Sequence, residues 1–298
     1  MSQDIFAQRK IVDQFLQKTG FELSSYSFIN IFAWQDFFDF EFQVIDERLL
    51  VFAGNDLGSF LYLPPLGKGI SRECVDTCFR ILNEKNNGKG VGRIENVEEK
   101  DLGLFGEKDF VRFEKSRETV YSRCDIANLQ GNRFKSKRSS YNHFVKNYKF
   151  EFCPYRDSMK KNCFLLYDQW TKKRKKRNSD EIYQQMIDES GVALRRCLNN
   201  FQNLGLIGCV VFVEGRIVGY SFGFALKQDV FCILFEIADL EMKGLSTYLF
   251  SEFCKMKAVE SFNFINVMDD FSLDNVRSTK LSFKPAKQIK TYTISQKD

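Results

Sequence analysis

Histidine is almost missing from this chain: His143 is the only one in 298 residues. A single imidazole leaves no set of histidine ligands for a zinc site, and without a visible partner it is weak ground for a general base. Proline occurs only 4 times, and hydrophobic and charged residues make up 44% and 28%, which excludes a collagen-like or disordered chain. No apolar run approaches the roughly 18 residues that span a bilayer. The start, "MSQDIFAQRK", lacks the basic-then-apolar design of a signal peptide, so a cytoplasmic protein is expected. No CxxC occurs, and the 9 cysteines are an odd, scattered set that fits reduced and mostly buried thiols. Cys74 and Cys78 stand one helical turn apart, but with one histidine in the chain no metal site is expected.

Neither sign of charge dominates: 44 Lys and Arg against 39 Asp and Glu give +5, so local clustering says more than the sum. The densest cluster is "KKRKKR", Lys172 to Arg177. Like-charge blocks are usually solvated, which makes it a mobile connector between helices, with contact to a phosphate backbone or an anionic lipid as the sharper reading.

What is present in abundance is periodicity, and the length suits two domains. "DIFAQRKIVDQFLQK" has helical spacing, and residues 40–67 alternate as three short strands with turns at Asp46-Glu47 and Asn55-Asp56. A helix capped by Ser71 follows, then a strand near "GRIENV", a short helix near "EKDLGLF" and a strand at "DFVRFEK". The second half repeats this order. Residues 206–239 give three strands, with Glu214-Gly215 as a hairpin turn; then come the helix "KGLSTYLFSEFCKMKAVE", the strand "FNFINVM", the helix "SLDNVRSTKLSF" and the strand "KQIKTYTI". Helices near 126–148, 159–173 and 180–199 lie between, with a strand "KFEFCPY" among them. A meander that turns into a strand, helix, strand crossover is the order of the GNAT, or acyl-CoA N-acyltransferase, fold. The expectation is therefore an α/β mixed-sheet protein of two tandem GNAT-like domains, 1–118 and 119–298, with the site in the second.

Some basic residues point the wrong way for solvation. On a helix of about 100° per residue, Phe134, Tyr141, Phe144, Val145 and Tyr148 share one arc. Lys137 falls inside that arc and Arg138 at its edge, while Lys135 and Asn142 lie further round and His143 on the opposite face. A buried unpaired cation is costly, so Lys137 and Arg138 call for an anion, either a ligand or an internal carboxylate such as Glu236 or Asp270. Near the carboxyl end, Arg277 and Lys280 fall on the inward face set by Leu273, Val276 and Phe283. Two basic pairs flanking one cleft would suit a phosphate, a carboxylate or an oxyanion forming at a carbonyl. Asp270 ends a strand, where it can serve as a base or cap the next helix. At "EMKGLS" an acyl-CoA enzyme of this fold usually has Gln or Arg where Glu241 stands; Lys243 and Gly244 are the candidate phosphate loop, but a carboxylate facing a pyrophosphate is unfavourable.

"SFINIFAWQDFF", "DIANLQGNRFKSKRSSYNHF", "FEIADLEMKGLSTYLFSEF" and "FINVMDDFSLDNVRSTKLSFKP" together resemble the C-terminal catalytic domain of phosphatidylglycerol lysyltransferases and its stand-alone relatives, from about Ser27 to Ile294. The resemblance implies a tandem GNAT-like transferase that takes an aminoacyl group from aminoacyl-tRNA to a hydroxyl or amine acceptor, a small molecule or a lipid head group. Carried over by position, the family's Lys-Arg-Asn helix motif corresponds to Lys137 and Arg138, with Ser139 in place of the asparagine. Its Asp-Leu-Gly segment corresponds to Asp270, Phe271 and Ser272, its later Arg and Lys to Arg277 and Lys280, and Ser282 and Pro285 also fit. The family's membrane-spanning portion has no counterpart in these residues.

The expected catalytic set is thus Asp270, Lys280 and Arg277, with Lys137, Arg138, Asn142, Glu236 and Ser282 binding substrate. Arg133, Lys135, Lys172, Lys173 and Arg174 are the expected RNA contacts. No cofactor is required by this scheme, aminoacyl-tRNA being the donor. An acyl-CoA-dependent N-acyltransferase, with Lys243 and Gly244 on the cofactor, and a non-catalytic binder of an anion or nucleic acid remain the alternatives.

Overall fold

The computed structural model describes residues 5–297. Asp4, where the opening helix was expected to start, lies outside the described residues, as does Asp298. By compactness the chain divides into two units. One holds the residues up to Glu118, Asp269–Asp274 and those from Gln288 on; the other holds Thr119–Met268 and Asn275–Lys287.

The first unit starts with α1 (Ile5–Leu16) and α2 (Phe28–Trp34). Ser27 caps α2 by accepting the Asn30 N–H. Next come β1 (Asp39–Ile45), β2 (Arg48–Asn55), β3 (Gly58–Leu61), α3 (Arg72–Lys85) with Ser71 as its cap, β4 (Arg93–Glu98), a 3-10 turn at Glu99–Leu104, and β5 (Phe110–Ser122). The β1–β2 hairpin turns at Asp46 and Glu47, whose φ of 46° and 59° have the sign that matches the right-handed twist of strands. The strand order is β1-β2-β3-β4-β11-β5, where β11 (Lys287–Gln296) is last in the sequence yet pairs antiparallel with β4. Val75, Phe79 and Leu82 of α3 pack on Leu50, Phe52, Leu61 and Ile94 to make its core.

The second unit runs α4 (Arg123–Asn128), α5 (Lys135–Asn147), β6 (Phe150–Pro154), α6 (Lys160–Arg177), α7 (Glu181–Asn199), α8 (Phe201–Leu204), β7 (Ile207–Val213), β8 (Arg216–Lys227), β9 (Val230–Ala238), α9 (Leu245–Lys255), β10 (Phe264–Asp269) and α10 (Asp274–Leu281). The "KKRKKR" block is not a mobile connector: it forms the last turns of α6, where positive charge complements the helix dipole. Its strands are ordered β10-β9-β8-β7-β6, all antiparallel except for β9 and β10. Leu245, Leu249 and Phe253 of α9 cover one face of this sheet together with Phe134 and Phe144. Among the described residues no helix is long and apolar enough to cross a membrane.

In both units the third strand of the meander and the strand after the crossover helix are parallel neighbours that soon part. Only Leu61 and Ile94 pair between β3 and β4, and only Val230 to Cys232 pair with Phe264 to Asn266 between β9 and β10. Two residues past the last pair, each later strand bulges at a residue of positive φ, Asn96 at 56° and Met268 at 60°. The result is a wedge between two diverging strands.

Candidate active site in the second unit

Divergence of two strands strips backbone groups of their partners, and unpaired buried carbonyls demand donors. In the second unit Lys280 supplies them. Its Nζ donates to the carbonyls of Val267, at 2.8 Å, and Met268, at 3.0 Å, on the β10 side of the wedge. The Asn266 side chain accepts the Met268 N–H at 2.7 Å and steadies the bulge. Tyr121, at the end of β5, donates its hydroxyl to the Lys280 carbonyl at 2.8 Å and so holds the last turn of α10 in place. Lys280 thus points inward as its helical position requires, and it grips the backbone of β10.

On the β9 side stands Glu236, four residues past the last pairing with β10. Its backbone partner across β8 is Ser221, and Ser221 in turn lies opposite Cys209 of β7, so the three form a row across the sheet. The Ser221 hydroxyl is fully buried and reaches the Glu236 carboxylate at 3.4 Å. Burial pushes the Glu236 carboxyl up to about 8, only partly offset by that hydrogen bond. Among the described residues no cation lies within ion-pair distance of it. Burial, with Glu236 adding to it, also raises the Tyr121 phenol.

Lys137 of α5 is half-buried on the same side of the sheet. Its ammonium sits 3.7 Å from the centre of the Phe283 ring and donates to the Ser282 hydroxyl at 2.6 Å, which donates onward to the Thr279 carbonyl. Burial, then the charge of Lys284, holds the Lys137 pKa below the usual lysine range. Phe283 packs with Phe250 and Tyr121, at ring-centre distances of 5.3 and 6.4 Å, and this aromatic group connects the Lys137 contact to the Tyr121 hydroxyl.

Other expected residues go elsewhere. Arg138 does not face an anion, because its guanidinium ties down the carbonyls of Leu129 and Gly131, the latter at 2.7 Å, in the turn before α5. Neither Lys137 nor Arg138 pairs with Glu236. Asn142 is exposed, while Arg277 shares the partly buried face of α10 with Lys280. Asp270 is wholly buried in the first unit, where its carboxylate accepts the N–H groups of Arg117, at 3.2 Å, and Ser272, at 3.1 Å.

The phosphate-loop and RNA residues divide in the same way. Gly244 has a φ of 90°, and a Cβ there would lie 2.1 Å from the Ser140 carbonyl, so α5 closes on the start of α9. Lys243 is exposed. Glu241 is neutralised by Lys173, which bridges it and Asp239 at 2.9 Å each. Arg133 pairs with Asp125 at 2.6 Å, and Arg174 stacks on Trp170. Lys135 and Lys172 stay exposed and, among the described residues, form no ion pair.

Tyr121 and Ser221 were not singled out from the sequence, and Phe283 only as part of an inward helix face. Ser221, like Glu236, had a signal, a polar residue inside an otherwise apolar strand; Tyr121 had none.

The family model described as "Phosphatidylglycerol lysyltransferase, C-terminal" matches residues 17–295. A conserved protein of unknown function from Bacteroides thetaiotaomicron has a similar structure, with a TM-score of 0.86 at 25% identity over 98% of this chain and 97% of that one. The L-PGS structure from Bacillus licheniformis matches at 0.66, with 15% identity over 97% and 92% of the two chains. The C-terminal domain of a putative lysylphosphatidylglycerol synthetase from Agrobacterium fabrum matches at 0.67, with 10% identity over 100% and 93%. FemX and a tandem GNAT protein of clavulanic acid biosynthesis, both at 0.54, share the tandem fold. No curated protein sequence matches.

Proposed function

Because the chain belongs to the phosphatidylglycerol lysyltransferase C-terminal family, a group of GNAT-like acyltransferase domains, we propose that it transfers an aminoacyl group from aminoacyl-tRNA to a hydroxyl or amine acceptor in the wedge of its second unit. One observation carries the reading: β9 and β10 part after Cys232 and Asn266, and beyond that point stand the β10 carbonyls clamped by Lys280 and the Glu236 carboxyl of β9, with a half-buried cation at Lys137. An acyl ester needs a donor that polarises its carbonyl, a proton acceptor and an anchor for negative charge, and the Lys280 ammonium, the Glu236 carboxyl and the Lys137 ammonium are the groups proposed for these. Lys135, Lys172 and Arg277 are the cations proposed for the RNA backbone and the reacting ester. An acyl-CoA donor fits less well, since α5 crowds Gly244 and a salt bridge occupies Glu241.

Filter binding of aminoacyl-tRNA tests the reading. Binding in low salt that falls steeply as salt rises is expected, because counterion release dominates contacts to phosphate. Absence of binding at low salt removes it, and thermal stabilisation by acetyl-CoA well above that by free nucleotides would put the cofactor-dependent reaction in its place.

A further inference from the structure

The reaction just proposed needs a group that takes a proton, and the two carboxylates at the strand ends are not equivalent. Asp270 is wholly buried, and its Oδ1 accepts the N–H groups of Arg117 and Ser272. Among the described residues Glu236 has one hydrogen-bond partner, Ser221, and it stands where the β9–β10 pairing has ended. The titratable groups around it are Tyr121 from β5, Cys209 from β7 and Cys254 from α9, all of them held neutral by burial. On that side of the sheet the Lys137 ammonium is engaged by Ser282 and that of Lys280 by the carbonyls of Val267 and Met268. An unpaired carboxyl in such surroundings exchanges a proton within the working range of pH, which is what general base catalysis requires.

We infer that Glu236 is the residue that accepts the proton of the acceptor nucleophile, with Ser221 positioning its carboxylate; the inference rests on the transferase reading above. As the acceptor oxygen or nitrogen bonds to the acyl carbon, its proton passes to a Glu236 oxygen. The ester bond to the donor ribose then breaks, and the same proton is delivered to the departing ribose oxygen. No oxidant, reductant or further reactant is consumed. With its carboxyl pushed up to about 8, about a tenth of Glu236 is ionised at pH 7, so the rate should climb with pH until that group is fully ionised.

The test is transfer from labelled aminoacyl-tRNA by the full chain, to phosphatidylglycerol vesicles as the hydroxyl probe and to ethanolamine as the amine probe, from pH 6 to 9. Wild type is expected to show a rising limb with a midpoint near 8. E236Q should lose roughly 100-fold or more in kcat with little change in KM for the RNA, and should lose that limb. E236D should regain part of the rate. S221A, which removes the bond that favours the ionised form, should move the midpoint upward, and this decides the matter if E236Q does not fold. An E236Q rate within about threefold of wild type at every pH, or a midpoint unmoved in S221A, overturns the inference while leaving the transferase reading intact. A wild-type protein that transfers to neither probe overturns both.

Discussion

The two units carry the same backbone device and put it to different use. In each, a parallel pair parts after one or a few residues, and the later strand bulges two residues on. In the first unit the gap is stitched shut. The bulge residue is Asn96, whose side-chain N–H donates back across the gap to the Tyr62 carbonyl at 2.8 Å, while the Tyr26 hydroxyl caps the Asn96 carbonyl at 3.2 Å. In the second unit the bulge residue is Met268, which has no such side chain, and the clamp comes from Lys280 instead. Four residues past the last pairing stand Pro65 in the one and Glu236 in the other. A repeated fold thus fixes where a wedge forms, and a few side chains decide whether it is filled or furnished.

The largest effect expected from breaking this contrast is at Lys280. K280M leaves the carbonyls of Val267 and Met268 without that donor, which costs about 1–3 kcal/mol and should cut transfer by roughly 100-fold. Urea denaturation and single-turnover rates measure the two losses separately. Next is the pH dependence of stability set by Glu236. Its carboxyl is raised from 4.5 to about 8, so the folded state holds its proton where the unfolded chain releases it, and stability drains away as pH rises from 4.5 to about 8. E236Q cannot ionise. It should melt close to wild type at pH 5 and higher by about 5 °C or more at pH 8.5, as thermal scans at the two values would record.

N96A in the first unit makes the complementary test. It forfeits the buried side-chain hydrogen bond to the Tyr62 carbonyl and places alanine at a φ that asparagine tolerates better, a loss of about 1–3 kcal/mol. Transfer per folded molecule should not change, and a drop in kcat at full folding would mean that the first wedge also works in the reaction. The smallest effect belongs to Lys137. Its lowered pKa means the charged form is disfavoured by folding, a penalty present below the folded pKa and relieved as pH rises through it. K137M should therefore be neutral or more stable by up to about 1 kcal/mol at pH 7, while weakening RNA binding and flattening its salt dependence.

Much of this architecture is legible in the sequence because local chemistry writes it there. Ser71 and Asp180 cap their helices through side-chain oxygens, and the positive-φ turns at Asp46-Glu47 and Glu214-Gly215 close hairpins whose strands alternate. The inward aim of Lys137 and Lys280 also follows from helical spacing. What spacing cannot state is the acceptor. Arg138, at the edge of the apolar arc, was expected to face an anion but holds the backbone of Leu129 and Gly131, and no periodicity encodes a carbonyl seven or nine residues away. Helix α2 escaped because six of its seven residues are buried, which erases the two-faced pattern. The pairing of β11 with β4 joins strands nearly two hundred residues apart, a register that only the assembled sheet sets. The basic end of α6 looked like a connector since like charges repel, yet Asp239, Glu241 and Asp188 neutralise Lys173 and Lys175 and let the helix continue.

Hydrogen exchange, with and without an aminoacyl-tRNA bound, tests most directly whether the second wedge is the working one. Binding is expected to slow exchange in residues 233–238 of β9 and 267–268 of β10, and to leave 62–66 and 94–98 of the first unit unchanged. Protection confined to the first-unit segments would contradict the account.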